Sequence, residues 1–303
     1  MTGARTSNRS STGRQPAVAG RLPGVRGLLL DLDGVLVVQG RAIPGAAETL
    51  AEIDRRGLPY RVVTNTSFVS RASLSAWGAS VGLMVPPDRI MSALSAAAAY
   101  TAHVFAGRPL YVLASQDARR EFAGQRLLTH EEAGASGVEA AAVVIGDSPE
   151  DATFENLNRA FRLIRGGARL IGMHKNRWWL TPDGPTLDSG AFVAGLEFAT
   201  GVRSIVMGKP SPAFFREAAR ELLGVITHTE GRDRRPRLAS IAMIGDDLWT
   251  DVLAAQRLGM RGIFVLSGKH GTAELQQAAA QPRGGGRPDL VADSLAAAID
   301  ALD

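Results

Sequence analysis

Asp31 and Asp33 stand two positions apart at the end of the apolar run VRGLLLDLDGVLVV. On a strand, residues i and i+2 point to the same side. Two carboxylates held that close repel, so they ask for a cation or a shared proton. Gly34 lets the chain turn away sharply beside them. Further along, VVTNTS ends a second apolar run with Thr64, Asn65 and Thr66. Their hydroxyls, amide and backbone N–H groups suit phosphate oxygens. Lys209 sits between an apolar run and Pro210, which biases it toward an extended conformation. Ser211 and Pro212 then read as the N-cap and first residue of a helix. In MIGDDLWTD, Asp246 follows a strand directly, Asp247 is beside it, and Asp251 lies one helical turn beyond Asp247. Such acids can hold Mg²⁺, which takes carboxylates and water in octahedral array.

Each segment also has a plain structural reading. The acids at 31 and 33 fit a strand-end turn, the TNT run an N-cap, and Lys209 a solvated side chain. The acids of 246–251 fit complements to a helix dipole. The four together, each at a strand end where open α/β sheets gather ligands, point to one site. Asp147, in AAVVIGDSPED, also follows an apolar run. It lies in a separate series and reads as a turn residue, with a substrate contact as the alternative.

The elements that must position these groups alternate strand and helix throughout, which argues for an α/β fold with a parallel sheet covered by helices. The run around Leu28–Leu30 is too apolar for a half-exposed strand and reads as a buried central one. A fresh series starts at Pro109, with strands LYVLAS, AAVVIGD and RLIGMH, the loop KNRWWLTPDGPTLDSG, and a helix at Ala191–Ala199. SIVMGK opens the last section, followed by a helix at Ala213–Leu223, an exposed basic loop GVITHTEGRDRRPR, and strand LASIAMIGDD. The organisation is a discontinuous core at 24–107 and 200–303, a unit inserted at 108–199, and a disordered basic tail at 1–23.

The formal net charge of +4 raises a nucleic-acid reading. Residues 1–26 carry Arg5, Arg9, Arg14, Arg21 and Arg26 and no acid; setting those five aside leaves 29 basic against 30 acidic residues. The body is near neutral, and the basicity belongs to a Ser/Gly/Arg-rich leader, read as solubilising. No nucleic-acid partner is expected. No run of 18 apolar residues is present, so no membrane span is expected. The sequence has no cysteine, which removes disulfides, zinc–thiolate sites and thiol nucleophiles together. A cytoplasmic enzyme is the expectation. The five histidines have no metal-like spacing.

DLDGVL (31–36), TNTS (64–67), GKP (208–210) and GDDLWTD (245–251) resemble, in order, the four motifs of the haloacid dehalogenase (HAD) superfamily. The insertion between the second and third motifs resembles the class IIA, NagD-like branch. FENLNRAFRLI, HKNRWW, FVAGLEFATG and VMGKPSPAFF extend the likeness over residues 25–300. The resemblance implies a Rossmann-like, doubly wound HAD core with an inserted C2-type α/β cap. It implies a Mg²⁺-dependent phosphatase for small phosphorylated molecules, with pyrophosphate or P–N bonds among its candidates. In that scheme Asp31 is the nucleophile and Asp33 the general acid and base. Thr64, Asn65 and Lys209 hold the phosphoryl group. Asp31, Asp33 (by its backbone carbonyl) and Asp246 bind the metal, with Asp247 and Asp251 supporting them.

The cap departs more from the pattern. HKNRWW gathers His174, Lys175, Arg177, Trp178 and Trp179 before a Pro/Gly loop. The resemblance turns this region toward the site, where Lys175 and Arg177 would meet a second phosphate or an acidic substrate. The plain reading is a tryptophan cap core with solvated charges. Dimerisation through the cap is common in similar proteins, so a homodimer is implied by resemblance alone. A nucleotide or phosphoglycolate phosphatase is the alternative within the branch. A non-catalytic phospho-ligand binder would require degraded acids, and Asp31, Asp33 and Asp246 are all present.

Overall fold

The computed structural model describes residues 20–181, 184–230, 237–281 and 285–302. Ten strands build two parallel sheets. In chain order they are β1 (Gly27–Asp31), β2 (Tyr60–Thr64), β3 (Ile90–Ser92), β4 (Leu110–Leu113), β5 (Ala142–Ile145), β6 (Arg169–Gly172), β7 (Ile205–Val206), β8 (Ile241–Gly245), β9 (Arg261–Val265) and β10 (Leu290–Ala292). The larger sheet runs β10-β9-β8-β1-β2-β3, and every neighbouring pair is parallel. Its strand order reverses between β1 and β8, a topological switch point where the carboxyl ends leave a crevice for ligand. The smaller sheet runs β7-β6-β5-β4, also parallel. It is built wholly from chain lying between β3 and β8.

The larger sheet is buried on both faces, which explains the continuous apolar reading of β1. Leu28 and Leu30 face one cluster, with Leu50 and Ile53 of helix α1 (Ala46–Arg55). Leu29 faces the other, with α2 (Ala93–Val104), α3 (Phe154–Arg165) and α4 (Gly190–Thr200) following in sequence and α5 (Pro212–Glu230) packed beneath β1 and β2. Only α2 and α5 of these contribute to that cluster, through residues such as Leu94, Phe214 and Phe215. The same cluster continues into Leu110, Val112, Val144 and Ile171 of the smaller sheet. One apolar core therefore joins both sheets, while α3 and α4 cover the far face of the smaller one. Helix starts are fixed locally: Ser92 accepts from the Ser95 N–H at α2, and Thr153 accepts from the Asn156 N–H at α3.

Three boundaries differ from the sequence expectation. Strand Ile205–Val206, expected to open the last core section, pairs with β6 (Ile205 opposite Ile171) and so completes the smaller sheet. The expected loop at 224–237 is helical as far as Glu230, because Ile226 remains buried against the core and carries α5 onward; residues 231–236 lie outside the described residues. The tail expected through residue 23 ends earlier: Leu22 is buried and its N–H donates to Ala301 O at 2.9 Å. Residues 1–19 lie outside the described residues.

Phe215 on α5 is fully buried in the shared cluster. Phe215→Ala is expected to lower stability by about 3–5 kcal/mol through lost contact and residual cavity. Urea unfolding measures it, and a loss below about 1 kcal/mol would contradict this packing.

Candidate active site

The carboxyl ends of β1, β2 and β8 converge. Asp31 is the last residue of β1 and shares the face of Leu29 by strand alternation. Asp246 follows β8, and Asp251 comes back to it from a wide π-type turn at Leu248–Val252. One carboxylate oxygen from each of Asp31, Asp246 and Asp251 lies within 4.8 Å of the others, and all three residues are buried. Lys209, itself buried, extends its ammonium between two of them: Nζ is 2.6 Å from Asp31 Oδ1 and 2.8 Å from Asp251 Oδ1. The contact to Asp251 Oδ1 is charge to charge without hydrogen-bond alignment. Asp31 Oδ1 also accepts the Leu32 N–H at 2.7 Å.

Charge decides what this cluster needs. Three carboxylates face one ammonium where water is scarce. Burial pushes the Asp31 carboxyl up despite Lys209, and Asp246 adds to the rise. Burial pushes Asp251 far up, with Asp31 adding to it. Asp246 is raised as well, mainly by burial. Lys209 is held above the ordinary lysine range: burial opposes its charge, but Asp251 and Asp31 outweigh burial. The residues fit a hard divalent cation, which takes oxygen ligands and would supply the missing positive charge.

The backbone around Asp246 is shaped to admit its carboxylate. Gly34 has φ +79°, and a Cβ at Gly34 or Gly268 would collide with Asp246. The Lys269 N–H donates to Asp246 Oδ2 at 2.6 Å, fixing that oxygen. Asp33 lies at the opening, with its side chain exposed. The surrounding protein mass still raises its carboxyl, against the pull of Lys209.

The remaining predicted residues divide. The Asn65 amide is spent on Lys209: its Oδ1 accepts the Lys209 N–H at 2.7 Å and its Nδ2 donates to Lys209 O at 3.0 Å. Thr64 Oγ1 is buried, lies 2.9 Å from Thr66 Oγ1 and accepts the Thr66 N–H at 3.1 Å. Asp251, expected as a support, is inside the carboxylate cluster. Asp247 turns away, accepting from the N–H groups of Trp249 and Thr250 and from Lys269 Nζ at 2.9 Å. Lys175 is exposed and bonded to Glu197 Oε2 at 2.7 Å, on α4. Arg177 is exposed.

His174 went to a place its sequence neighbourhood did not announce. It is buried beside Asp147 (Nε2 to Oδ2, 3.0 Å), Ser67, Asp188 and Ser189. Asp147, read as a turn residue, thereby touches the loop that follows β2. The members lie 27 and 14 residues apart along the inserted unit, and Ser67 is 80 residues from Asp147; no spacing rule links them. Among the described residues no helix is long and apolar enough to cross a membrane.

Removing the Asn65 clasp should misplace the Lys209 ammonium. Asn65→Ala is expected to lower kcat by roughly tenfold to a hundredfold, the scale of an ångström-size displacement of a charged group in a site. Lys175→Met, breaking only an exposed pair, should leave kcat and KM within about twofold, since such pairs contribute about 0–1 kcal/mol. Steady-state phosphate release measures both; a large effect at Lys175 would restore it as a substrate contact.

Known proteins are similar in both sequence and fold. Residues 28–127 match the haloacid dehalogenase-like hydrolase family, and residues 206–298 match the HAD-hydrolase-like family. The chain is 36% identical over 250 residues to haloacid dehalogenase-like hydrolase domain-containing protein 2 of Mus musculus, covering 82% of this chain and 87% of that one. It is 33% identical over 288 residues to phospholysine phosphohistidine inorganic pyrophosphate phosphatase of Homo sapiens, covering 93% and 96%. The solved p-nitrophenyl phosphatase from Archaeoglobus fulgidus superposes with a TM-score of 0.78 at 27% identity, over 94% of this chain and 100% of that one. The chain belongs to the haloacid dehalogenase-like hydrolase family, as a phosphatase of its class IIA branch.

Proposed function

We propose that the chain hydrolyses small phosphorylated molecules with Mg²⁺, through an aspartyl-phosphate (an acyl phosphate) formed on Asp31. The observation that carries this is the buried trio of carboxylates answered by a single ammonium at the switch point of the sheet. We read the four-stranded inserted unit as a cap over the site, and the cysteine-free sequence supports a cytoplasmic setting.

The cation would be held by Asp31, Asp246 and Asp251, with the Asp33 carbonyl as the further ligand that the family resemblance implies. When bound, it offsets the charge of the phosphoryl oxygens and of the carboxylates around it. The Asp31 carboxylate attacks phosphorus as the bond to the leaving oxygen breaks. Asp33, exposed at the opening, gives that oxygen its proton. Its raised carboxyl suits this, because a protonated fraction persists above the usual range. Asp33 then takes a proton from water; the water oxygen attacks phosphorus, the bond to Asp31 breaks, and phosphate leaves. Lys209 stays with Asp31 throughout and faces the charge that grows on the transferring group.

Asp31→Asn should reduce turnover of p-nitrophenyl phosphate by at least about 10⁴-fold, the scale lost with a covalent nucleophile, while circular dichroism is retained. EDTA should abolish activity and Mg²⁺ restore it. Wild-type-like rates in Asp31→Asn would refute the assignment. A panel including pyrophosphate, a phosphoramidate, a nucleoside monophosphate and phosphoglycolate ranks the substrates.

A further inference from the structure

Beside the shared apolar core, the inserted unit makes a run of polar contacts to one short segment, Ser67–Ser73, which begins three residues after Thr64. Asp117 accepts from the Ser70 N–H and the Ser73 hydroxyl, Glu121 pairs with Arg71, and the Ser115 hydroxyl donates to Phe68 O. At the head of the segment, Ser67 is fully buried and touches Asp147 and His174 of the inserted unit. Its hydroxyl donates to Asp147 Oδ2 at 2.5 Å, accepts the Asp147 N–H at 3.0 Å and lies 3.2 Å from His174 Nε2. His174 Nε2 is 3.0 Å from Asp147 Oδ2 and 3.6 Å from Asp188 Oδ1, and the Ser189 N–H fixes Asp188 Oδ1 at 2.7 Å.

Two acids and a histidine so close could suggest a second metal. The hydrogen bonding argues against it. The Asn176 N–H donates to His174 Nδ1 at 3.3 Å, so Nδ1 is an acceptor and the ring hydrogen is on Nε2, directed at Asp147. An Nε2 that carries hydrogen has no lone pair for a cation. The cluster is a proton-bearing network, and such networks rigidify what they join when every member is satisfied.

We propose that Asp147, His174 and Asp188 form a latch that positions the phosphate-binding segment Thr64–Ser67, and through Asn65 the Lys209 ammonium. The proposal rests on the phosphatase reading of that site. The path is continuous: the network holds Ser67, the chain runs two residues to Asn65, and Asn65 clasps both backbone polar groups of Lys209. Lys209 is also tied from the other side, since β7 hydrogen-bonds to β6 and the Gly208 N–H donates to Met173 O, the residue before His174. These are positioning residues; none of them is among the groups that meet phosphorus.

The test uses the full-length chain with Mg²⁺, p-nitrophenyl phosphate as substrate and inorganic phosphate as competing ligand. Ser67→Ala removes the central hydroxyl without adding bulk, and His174→Gln keeps a donor on a differently shaped side chain. Both should lower kcat by about tenfold to a hundredfold. Both should also weaken inhibition by inorganic phosphate by about tenfold, because a displaced anion cradle binds the free anion less well. Combining Ser67→Ala with Asp147→Asn should cost no more than the larger single loss, as expected for members of one network. A brace with no role in positioning would lower the melting temperature and leave kcat and phosphate inhibition unchanged. Folded Ser67→Ala with both values within about twofold of wild type overturns the latch, whether or not His174→Gln folds. A wild-type chain that releases no phosphate removes the phosphatase reading and the latch with it; an active wild type with unchanged variants removes the latch alone.

Discussion

More negative than positive charge is buried at one point, and the surrounding structure is organised around that imbalance. Asp31, Asp246 and Asp251 share a small volume, with Lys209 the only cation among them in the described residues. Removing charges from water costs several kcal/mol each even after relaxation, and one ammonium cannot offset three carboxylates. Burial accordingly raises all three acids toward their protonated forms. A fold does not keep such a cluster for stability, because apolar side chains of similar volume would serve better. Such a cluster fits a ligand that brings positive charge.

Holding the imbalance requires rigid backbone, which the parallel sheet provides. Asp31 ends a fully buried strand, and Asp246 follows its equally buried neighbour across the reversal in strand order. Lys209 has no strand of the larger sheet behind it. It emerges from the last strand of the smaller sheet and is fixed in place by the Asn65 amide, which copies one rung of a β-ladder to its backbone. Asp31 is positioned by one sheet and its counter-charge, Lys209, by two.

Much of this was legible in the chain because it is local. An apolar strand ending in an acid, a Thr-Asn-Thr run and a lysine before proline are all short-range patterns, and their shared place at strand ends is what united them. What escaped was set by contacts distant in sequence. Asp251 reads as a helix-turn support, yet the wide turn at Leu248–Val252 swings it into the cluster. Asn65 reads as a phosphate ligand until Lys209, 144 residues away, claims its amide. Lys175 reads equally as a substrate contact or a solvated charge, and its pairing with Glu197 lies 22 residues away in sequence. Residues 224–230 carry glycine, valine, isoleucine and threonine, weak helix formers, and remain helical because Ile226 packs in the core. Two residues, Ile205 and Val206, were too short a run to reveal which sheet they join.

The two sheets also share more than proximity. Their common apolar cluster runs from Leu29 and Val63 to Val112 and Ile171 without a break. The polar contacts between them concentrate on one side, along the segment that follows β2. A unit held by both a continuous core and a satisfied polar seam does not swing as a free lid without cost, since opening along that side would part the buried His174 and Ser67. Opening along that side therefore carries a cost, and the seam it would break starts three residues from Thr64. The seam between the two sheets and the placement of the loop that follows β2 are mechanically one problem in this fold.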